Sequence, residues 1–315
     1  MGKPGVFAAC VAMMSMQPLL INLAASRADE HRLPADSFML AVETLKALLC
    51  VSALACRWAC GQEAALWRGF RHSAAFAVPA CLYLLMNTLK ISAARALAPP
   101  LFQLLASTKV IATAVSSWLL LGRSLTALQW AAMVLLTVGV ALGQHRDSSG
   151  TAGSLSLADL EVPLVPVLIM LANSCLSALA AVYTEKVLKA QQSASLSIFA
   201  TNLHMALHTL LVNLAKASVC EAPVLTHPGS IGWRTWAALG NEAVNGILVS
   251  TLMRHADSIV KNYAFSASIF ATALISVPVL GYWPQWPFLL GSLLVLCSMA
   301  MYSREGRSHS PKKLA

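Results

Sequence analysis

Charged side chains are scarce in this sequence, since Asp, Glu, Lys and Arg together fill only 11% of its 315 positions. Soluble domains carry about 25% charged residues, so the polar surface that a water-soluble fold of this size requires is missing. Hydrophobic residues occupy 57% of the positions, and the mean hydropathy is +0.67. The composition therefore excludes an ordinary soluble domain and predicts an integral membrane protein.

Signals of several other protein classes are absent as well. The eight cysteines show no paired spacing that would indicate disulfides or zinc, so we expect free, packed thiols. A glycine-rich phosphate loop, a nucleophile elbow and a catalytic-triad spacing are missing, so we predict neither an enzyme nor a cofactor. The net charge of +9 would suggest a nucleic-acid partner in a soluble protein. Membrane topology explains much of that charge, and we expect no nucleic acid.

Long apolar runs recur along the whole chain. A transmembrane helix needs roughly 20 apolar residues, and these runs predict an all-α integral membrane protein of about ten helices, surrounded by membrane lipids. The predicted spans are 5–25, 37–57, 72–92, 98–121, 125–143, 163–184, 195–219, 235–253, 258–281 and 286–303. The first run is too long for a signal peptide, and no small-residue cleavage site precedes the loop at 27–36. We therefore expect it to be retained as helix one.

The distribution of lysine and arginine predicts the orientation. With a cytosolic N-terminus, the two tails and the even-numbered loops carry twelve basic residues, and the opposite side carries six. Cytoplasmic loops normally hold the excess of basic residues, so both termini are predicted to be cytosolic. The twelve are Lys3, Arg57, Arg68, Arg71, Arg123, Lys186, Lys189, Arg254, Arg304, Arg307, Lys312 and Lys313, and the six are Arg27, Arg32, Arg95, Arg146, Lys216 and Arg234.

The two halves of the chain resemble each other. Ile111–Gly122 matches Phe270–Gly281 at six of twelve positions, and a Gln-Trp pair follows each stretch, at Gln129-Trp130 and Gln285-Trp286. With five helices per half, equivalent helices cross the membrane in opposite directions, which predicts two inverted five-helix repeats around a site near the bilayer midplane. The predicted organisation is a first repeat at 1–143, a polar connecting loop at 144–162, a second repeat at 163–303 and a cytosolic tail at 304–315.

Five charged residues within the predicted spans are candidates for a functional role: Glu43, Lys46, Lys90, Lys109 and Lys261. An ionised side chain at the bilayer centre costs about 2.5–3.5 kcal/mol on insertion scales, so it normally faces a bundle interior or a wet cavity. Lys109 is expected near the middle of helix four and Lys261 in the first turns of helix nine, which are equivalent positions in the repeat. Two such cations favour binding of an anionic, phosphorylated solute. The alternative is that each neutralises a buried carboxylate, for which Glu43 is the only candidate well inside a span.

Glu43 and Lys46 are three residues apart, so they share one face of helix two and can form an ion pair. The pair is either structural, or it exchanges partners with Lys109 or Lys261 as substrate enters and leaves. Lys90 lies near the luminal end of helix three, where its long side chain can reach the interface.

Helices three and seven carry further polar residues. Tyr83 and Asn87 are four residues apart on helix three, a spacing suited to stacking on and hydrogen-bonding a base or sugar. Helix seven carries Asn202, His204 and His208. The two histidines share a face at a spacing that suits zinc, but no third ligand is evident, so no metal site is predicted.

Four segments resemble the nucleotide-sugar transporters of the drug/metabolite transporter superfamily, in the branch that carries CMP-sialic acid, UDP-galactose and UDP-N-acetylglucosamine. Glu43–Lys46 is similar to the Glu-x-x-Lys of helix two in that branch, and Leu128–Trp130 to its helix-five opening. Ala180–Lys186 resembles its Gly/Ala-x-Tyr-x-Glu segment. Gly246–Lys261 is similar to the stretch between helices eight and nine, and it is the most specific of the four.

This resemblance implies a ten-helix fold and exchange of a cytosolic nucleotide sugar for a luminal nucleoside monophosphate, without an ion or ATP. Lys109 and Lys261 resemble phosphate-contacting lysines of the family, and Tyr83, Asn87 and Asn202 fall where members contact the nucleoside. The candidate substrate-binding residues are Lys109, Lys261, Tyr83, Asn87, Asn202, Glu43, Lys46, His208 and Tyr183.

The chain also departs from the family pattern. It has Met86-Asn87-Thr88 where many members read Gln-Asn-Asn, and Ala206 where a tyrosine is common, with His208 close by. These departures leave open which nucleotide sugar is carried. The final residues Lys312–Ala315 fit a dilysine signal that retrograde coat proteins read, which indicates a Golgi protein that cycles through the endoplasmic reticulum.

Three alternatives accompany the antiporter prediction. One is an exchanger of another phosphorylated organic anion, a sugar phosphate or free nucleotide, which competition by UMP or CMP would distinguish. A second is a membrane-embedded transferase using His204 and His208, which would release a chemically changed product. A third is a scaffold subunit, which has no need of buried lysines. A homodimer is left open.

Overall fold

The computed structural model describes residues 4–25, 34–61, 73–97, 102, 105–143, 164–193, 196–219, 232–280 and 286–308. Within these ranges the chain forms ten long helices and no strand, which confirms the all-helical prediction. The helices are α1 (Pro4–Ala25), α2 (Ala35–Ala59), α3 (Ala77–Ala96), α4 (Lys109–Leu121), α5 (Ala127–Gly143), α6 (Leu164–Ser193), α7 (Ile198–Val219), α8 (Trp233–His255), α9 (Ser258–Leu280) and α10 (Trp286–Ser308).

Among the residues that the structure describes, seven helical segments are long and apolar enough to cross a membrane, and the protein is therefore a multi-pass membrane protein. They are Pro4–Ile21, Asp36–Ala59, Ser73–Lys90, Leu164–Gln192, Ile198–Ser218, Ser258–Ile275 and Trp286–Arg304. Two shorter apolar helices, Leu105–Leu121 and Ala127–Leu142, accompany them. The predicted connecting loop at 144–162 and the Lys312-Lys313 signal lie outside the described residues.

The structure divides the predicted fourth helix at Thr108. The Thr108 hydroxyl donates a hydrogen bond to the carbonyl oxygen of Leu105 at 2.6 Å, and the Thr108 amide approaches the same oxygen at 3.2 Å. Both bonds reach back three residues instead of four, which tightens the chain into a turn. Residues 105–107 before this turn are helical as well, and α4 begins directly after it at Lys109. The prediction that Lys109 lies near the middle of an uninterrupted helix was therefore wrong.

The Gln-Trp pair at the start of α5 has a local structural explanation. The Thr126 amide donates to the Gln129 side chain at 3.1 Å, and the Gln129 amide approaches the Thr126 hydroxyl at 3.3 Å. This reciprocal arrangement is a capping box, which satisfies amides that have no partner within the helix. Gln129 therefore stabilises the first turn of α5 by capping it.

The first of two compact units comprises Met1–Leu84 and Tyr183–Ser276. In it α8 packs against α1, α2 and α7, and α2 packs along α7. A buried cluster of Cys50 and Leu54 from α2, with Leu196, Ala200 and Leu203, forms the core between these helices. Polar contacts fasten α1 as well, because the Asn241 amide of α8 donates to the Met13 carbonyl at 3.0 Å and to Gln17 at 2.6 Å.

The second unit comprises Leu85–Val182 and Val277–Ala315. Its closest helix pair is α5 with α10, where a Cβ added at Gly139 would lie 2.9 Å from the Gly291 carbonyl oxygen. The Ser298 hydroxyl donates to the Ala132 carbonyl at 2.5 Å in the same interface. Small residues that allow close backbone approach are typical of helix pairs in membranes.

Candidate functional site

The predicted ion pair on α2 is present and buried. The Lys46 ammonium lies 2.5 Å from the Glu43 carboxylate, and the two side chains are only 5% and 11% exposed. This confirms the pairing that the three-residue spacing predicted. Because burying two charges removes them from water, the pair needs further polar neighbours to be stable.

Those neighbours come from α8. Gly246 leaves room for Lys46, since a Cβ added there would lie 3.3 Å from Lys46 Cδ and 3.8 Å from Nζ. On α8, Asn245 immediately precedes Gly246, and Glu242 lies one turn earlier. Four polar residues of α2 and α8 thus lie around this contact between the two helices, and we call them the α2/α8 cluster: Glu43, Lys46, Glu242 and Asn245.

Glu242 is a second carboxylate within a predicted span. Glu43 was expected to be the only carboxylate well inside a predicted span, whereas Glu242 lies within the span predicted at 235–253 and in the same cluster. The signal was present in the sequence, because the segment Asn241–Asn245 is unusually polar for a membrane helix. Its position near Lys46 depends on the packing of α2 against α8, which sequence spacing does not reveal.

Asn202 and His208 lie on α7 in the same unit. Asn202 is fully buried, and its amide nitrogen donates to the Ile198 carbonyl at 2.9 Å. Its Oδ1 atom is buried and has no hydrogen-bond partner among the described residues, so it can accept a bond from a ligand. His208 Nδ1 lies 2.8 Å from the His204 carbonyl oxygen. When Nδ1 carries a proton, it donates a hydrogen bond to that oxygen.

His204 and His208 lie one turn apart on α7. Among the described residues, no three His, Cys, Asp or Glu side chains come together in an arrangement that holds a metal ion.

Lys261 lies on the first turns of α9, as predicted, and this helix start is anchored from two directions. The Asp257 carboxylate accepts the Val260 amide at 2.7 Å, which is an N-cap within the local sequence. Glu185 of α6 accepts the Ser258 amide at 2.7 Å, and its other oxygen pairs with Lys189 at 2.5 Å. Glu185 is fully buried, so it fixes where α9 begins.

Lys261 itself is partly buried. Three ion pairs lie within the part of the chain that the structure describes: Glu43–Lys46, Glu185–Lys189 and Asp36–Lys216. None of them includes Lys261, so the ion pairs of the described residues do not support the alternative that a buried carboxylate neutralises this lysine. Glu185 belongs to the motif Ala180–Lys186, but its role as an anchor could not be predicted from it, because that role depends on a contact 73 residues along the chain.

The other candidates are placed as follows. Tyr83 on α3 and Tyr183 on α6 are partly buried and belong to the first unit, and Lys109 is partly buried in the second. Asn87 lies on α3, and its side chain is outside the described residues. Lys90 is exposed. The α2/α8 cluster, Tyr83 and Tyr183 therefore belong to the first unit. Lys109 and Asn87 belong to the second.

The chemistry of these groups is that of binding. Ionisable residues within a membrane bundle usually mark a solute or ion pathway. Buried lysines suit phosphate oxygens as point charges, and buried amides suit the polar edges of a base or sugar.

Comparisons with known proteins agree with this chemistry. Residues 3–303 match a sequence model described as nucleotide-sugar transporter. The chain is 29% identical over 307 residues to CMP-sialic acid transporter 2 of Oryza sativa subsp. indica, covering 96% of this chain and 83% of the relative. It is 34% identical over 230 residues to the UDP-galactose translocator of Bos taurus, covering 72% of this chain and 57% of the relative.

Two further similarities extend the comparison. The UDP-galactose/UDP-N-acetylglucosamine transporter of Caenorhabditis elegans is 31% identical over 232 residues, covering 72% of this chain and 60% of the relative. A protein of known crystal structure superposes with a TM-score of 0.69 at 13% identity, covering 97% of this chain and 98% of that one. At that identity, the structural match shows the fold alone.

Proposed function

Because this chain belongs to the nucleotide-sugar transporter family, whose members are transporters and not enzymes, we propose that it is an antiporter. It exchanges a cytosolic pyrimidine nucleotide sugar for a luminal nucleoside monophosphate by alternating access. CMP-sialic acid, UDP-galactose and UDP-N-acetylglucosamine appear in the names of its relatives. Their shared chemistry is a pyrimidine nucleoside joined through phosphate to a sugar.

The observation that carries this proposal is the setting of Lys261. It is a partly buried cation on a membrane helix, the start of that helix is held by Glu185 and Asp257, and no carboxylate pairs with it within the described ranges. A cation within a membrane helix normally faces a bundle interior or a wet cavity, because contact with lipid is unfavourable. A bound phosphate group would supply the opposite charge that Lys261 lacks among the described residues.

The remaining candidates take roles by their chemistry. Lys109 is the second phosphate-binding cation, and Tyr83, Asn87 and Asn202 bind the nucleoside, with the buried Oδ1 of Asn202 as one acceptor. His208 and Tyr183 line the binding region, and the Glu43–Lys46 pair balances charge as substrate passes.

The proposed topology has two inverted repeats at 1–143 and 163–303, joined by the polar loop at 144–162, with the tail at 304–315 and both termini in the cytosol. Such repeats give alternating access through exchange of their conformations. The Golgi membrane is the proposed location, with Lys312-Lys313 read by retrograde coat proteins. Labelling of single cysteines placed in each loop, from either side of sealed vesicles, tests the orientation.

Counterflow in proteoliposomes tests the function. Protein is reconstituted into vesicles preloaded with UMP or CMP, and entry of labelled UDP-galactose, UDP-N-acetylglucosamine and CMP-sialic acid is followed. We expect uptake of at least one, dependent on the matching internal monophosphate and blocked by external UMP or CMP. Folded protein that transports none of the three, or whose uptake is blocked by a sugar phosphate and not by UMP or CMP, would refute the proposal.

A further inference from the structure

A buried hydrogen bond joins α6 to the turn that precedes α4. The Ser174 hydroxyl of α6 donates to the carbonyl oxygen of Leu105 at 3.1 Å, across 69 residues of sequence. Ser174 is only 2% exposed, so water does not compete for this bond as it would at a surface. Both residues belong to the second unit, as does Lys109. The contact therefore lies within one compact unit, close in sequence to a candidate binding residue.

The carbonyl oxygen of Leu105 accepts from three donors. Besides Ser174, the Thr108 hydroxyl donates at 2.6 Å and the Thr108 amide approaches at 3.2 Å. A carbonyl oxygen has two lone pairs, so three donors use its full capacity. Thr108 holds the turn from within the local sequence, whereas Ser174 holds it from a different helix. The turn at 105–108 is therefore fixed in place against α6 as well as fixed in shape.

Apolar packing supports the same contact. Met170 lies about one turn before Ser174 on α6 and is buried. It belongs to the buried cluster against which Leu105 and Ala106 pack. A hydroxyl beside such a cluster is unfavourable unless it has a hydrogen-bond partner, and the Leu105 carbonyl is that partner. Ser174 and the packing around it thus hold the same turn.

Lys109 directly follows this turn, as the first residue of α4. The first turn of the helix is held from its other side too, because the Thr113 hydroxyl donates to the Lys109 carbonyl at 2.7 Å. Each residue of an α-helix is rotated by about 100° from the one before it. A change in the preceding turn would therefore alter the direction in which the Lys109 side chain leaves the helix.

We propose that Ser174 is a positioning residue for Lys109. Its hydroxyl holds the Leu105–Thr108 turn, the turn sets where α4 begins, and the start of α4 directs the Lys109 ammonium toward the substrate phosphate. Ser174 itself need not touch the substrate. This inference rests on the proposed function, in which Lys109 binds phosphate.

Counterflow kinetics of the full-length protein test the proposal. Ser174→Ala should raise the KM for the transported nucleotide sugar about 2- to 10-fold, which is the equilibrium effect of one hydrogen bond. The kcat should change little, because a rise in KM at constant kcat is the signature of weakened binding. Ser174→Thr keeps the hydroxyl and should have a KM close to the native value. Ser174→Cys keeps the shape with a weak donor and should be intermediate, which preserves the test if Ser174→Ala does not fold.

Ser298 provides a matched control in the same unit. Its hydroxyl is also buried and also donates to a carbonyl of another helix, that of Ala132 at 2.5 Å. Neither residue adjoins a candidate binding residue in the sequence. Ser298→Ala should therefore lower the thermal unfolding temperature about as much as Ser174→Ala does, and leave the KM unchanged. A native KM in Ser174→Ala or Ser174→Cys, or an equal rise in Ser298→Ala, overturns the proposal.

Hydrogen exchange tests the positioning independently of transport. The Ala112 amide donates to the Thr108 carbonyl at 3.0 Å, so its protection reports on the turn. Peptides that cover 109–116 should exchange faster in Ser174→Ala and Ser174→Cys than in the native protein or in Ser298→Ala. Native exchange rates in the Ser174 variants overturn the proposal. If the native protein shows no counterflow, the proposed function fails, while exchange still decides whether Ser174 fixes the start of α4.

Discussion

Removing the carboxylate of Glu185 should destabilise the start of α9 by a measurable amount. Glu185 is fully buried and accepts the amide of Ser258, which is fully buried as well, at 2.7 Å. Glu185→Ala leaves that amide without its acceptor, and a buried donor without a partner costs about 1–3 kcal/mol. The ion pair with Lys189 is lost at the same time. The Lys189 side chain is 37% exposed, so this part is worth only about 0.2–1 kcal/mol.

The two contributions can be separated with matched variants. Lys189→Met removes the ion pair and keeps the acceptor, so it should lower the free energy of unfolding by less than Glu185→Ala does. Glu185→Gln keeps an acceptor oxygen for Ser258 and should fall between them. Asp257→Ala removes the local cap of the same helix, which typically costs about 1 kcal/mol. Reversible unfolding of the purified protein in mixed micelles measures all four differences.

Transport provides a second reading of the same variants. Glu185 positions the helix start that carries Lys261, so Glu185→Ala should raise the KM for nucleotide sugar by more than Lys189→Met does. If Glu185→Ala and Lys189→Met have equal unfolding free energies, the anchoring role derived from the Ser258 contact is refuted.

Four further predictions follow from the structure and the proposed function. Lys261→Ala should abolish counterflow with near-normal expression, and Lys261→Glu should be at least as defective; transport at native rates would exclude the phosphate role. Lys109→Ala should behave likewise in the same assay. Gly139→Ala should destabilise the α5–α10 pair by about 1–3 kcal/mol through overpacking, whereas Gly240→Ala, with nothing within 4 Å of the added Cβ, should not; equal thermal unfolding temperatures would contradict this. Thr126→Ala should cost about 0.5–2 kcal/mol by removing the α5 cap, measured by unfolding in mixed micelles.

Much of the fold could be predicted from the sequence because membrane insertion is governed by local composition. Runs of about 20 apolar residues identify helices without any knowledge of their neighbours, and most of the predicted spans overlap the observed helices closely. The errors were local. Thr108 divides the predicted fourth helix because its side chain and amide bond back to Leu105. A hydropathy pattern does not indicate such hydrogen bonds, since it records only how apolar each residue is.

The sequence by itself determined the features that depend on short spacing. The Glu43–Lys46 pair follows from three residues on one helix, and the capping of α5 by Thr126 and Gln129 follows from a capping-box spacing. The four motifs also indicated the transporter family before any packing was known. These features need only one helix, whose geometry is the same wherever it lies.

Only the tertiary structure decided which polar groups from different helices meet. Lys46 of α2 meets α8 at Gly246, where the missing side chain leaves space for the lysine, and Glu242 lies one turn away on the same helix. Glu185 anchors the helix of Lys261 across 73 residues for a similar reason. Burial and charge balance depend on such distant neighbours, since a side chain's electrostatic environment is set by every helix around it. The chemistry of the site therefore depends on how the helices pack, whereas the helices themselves can be recognised from the sequence.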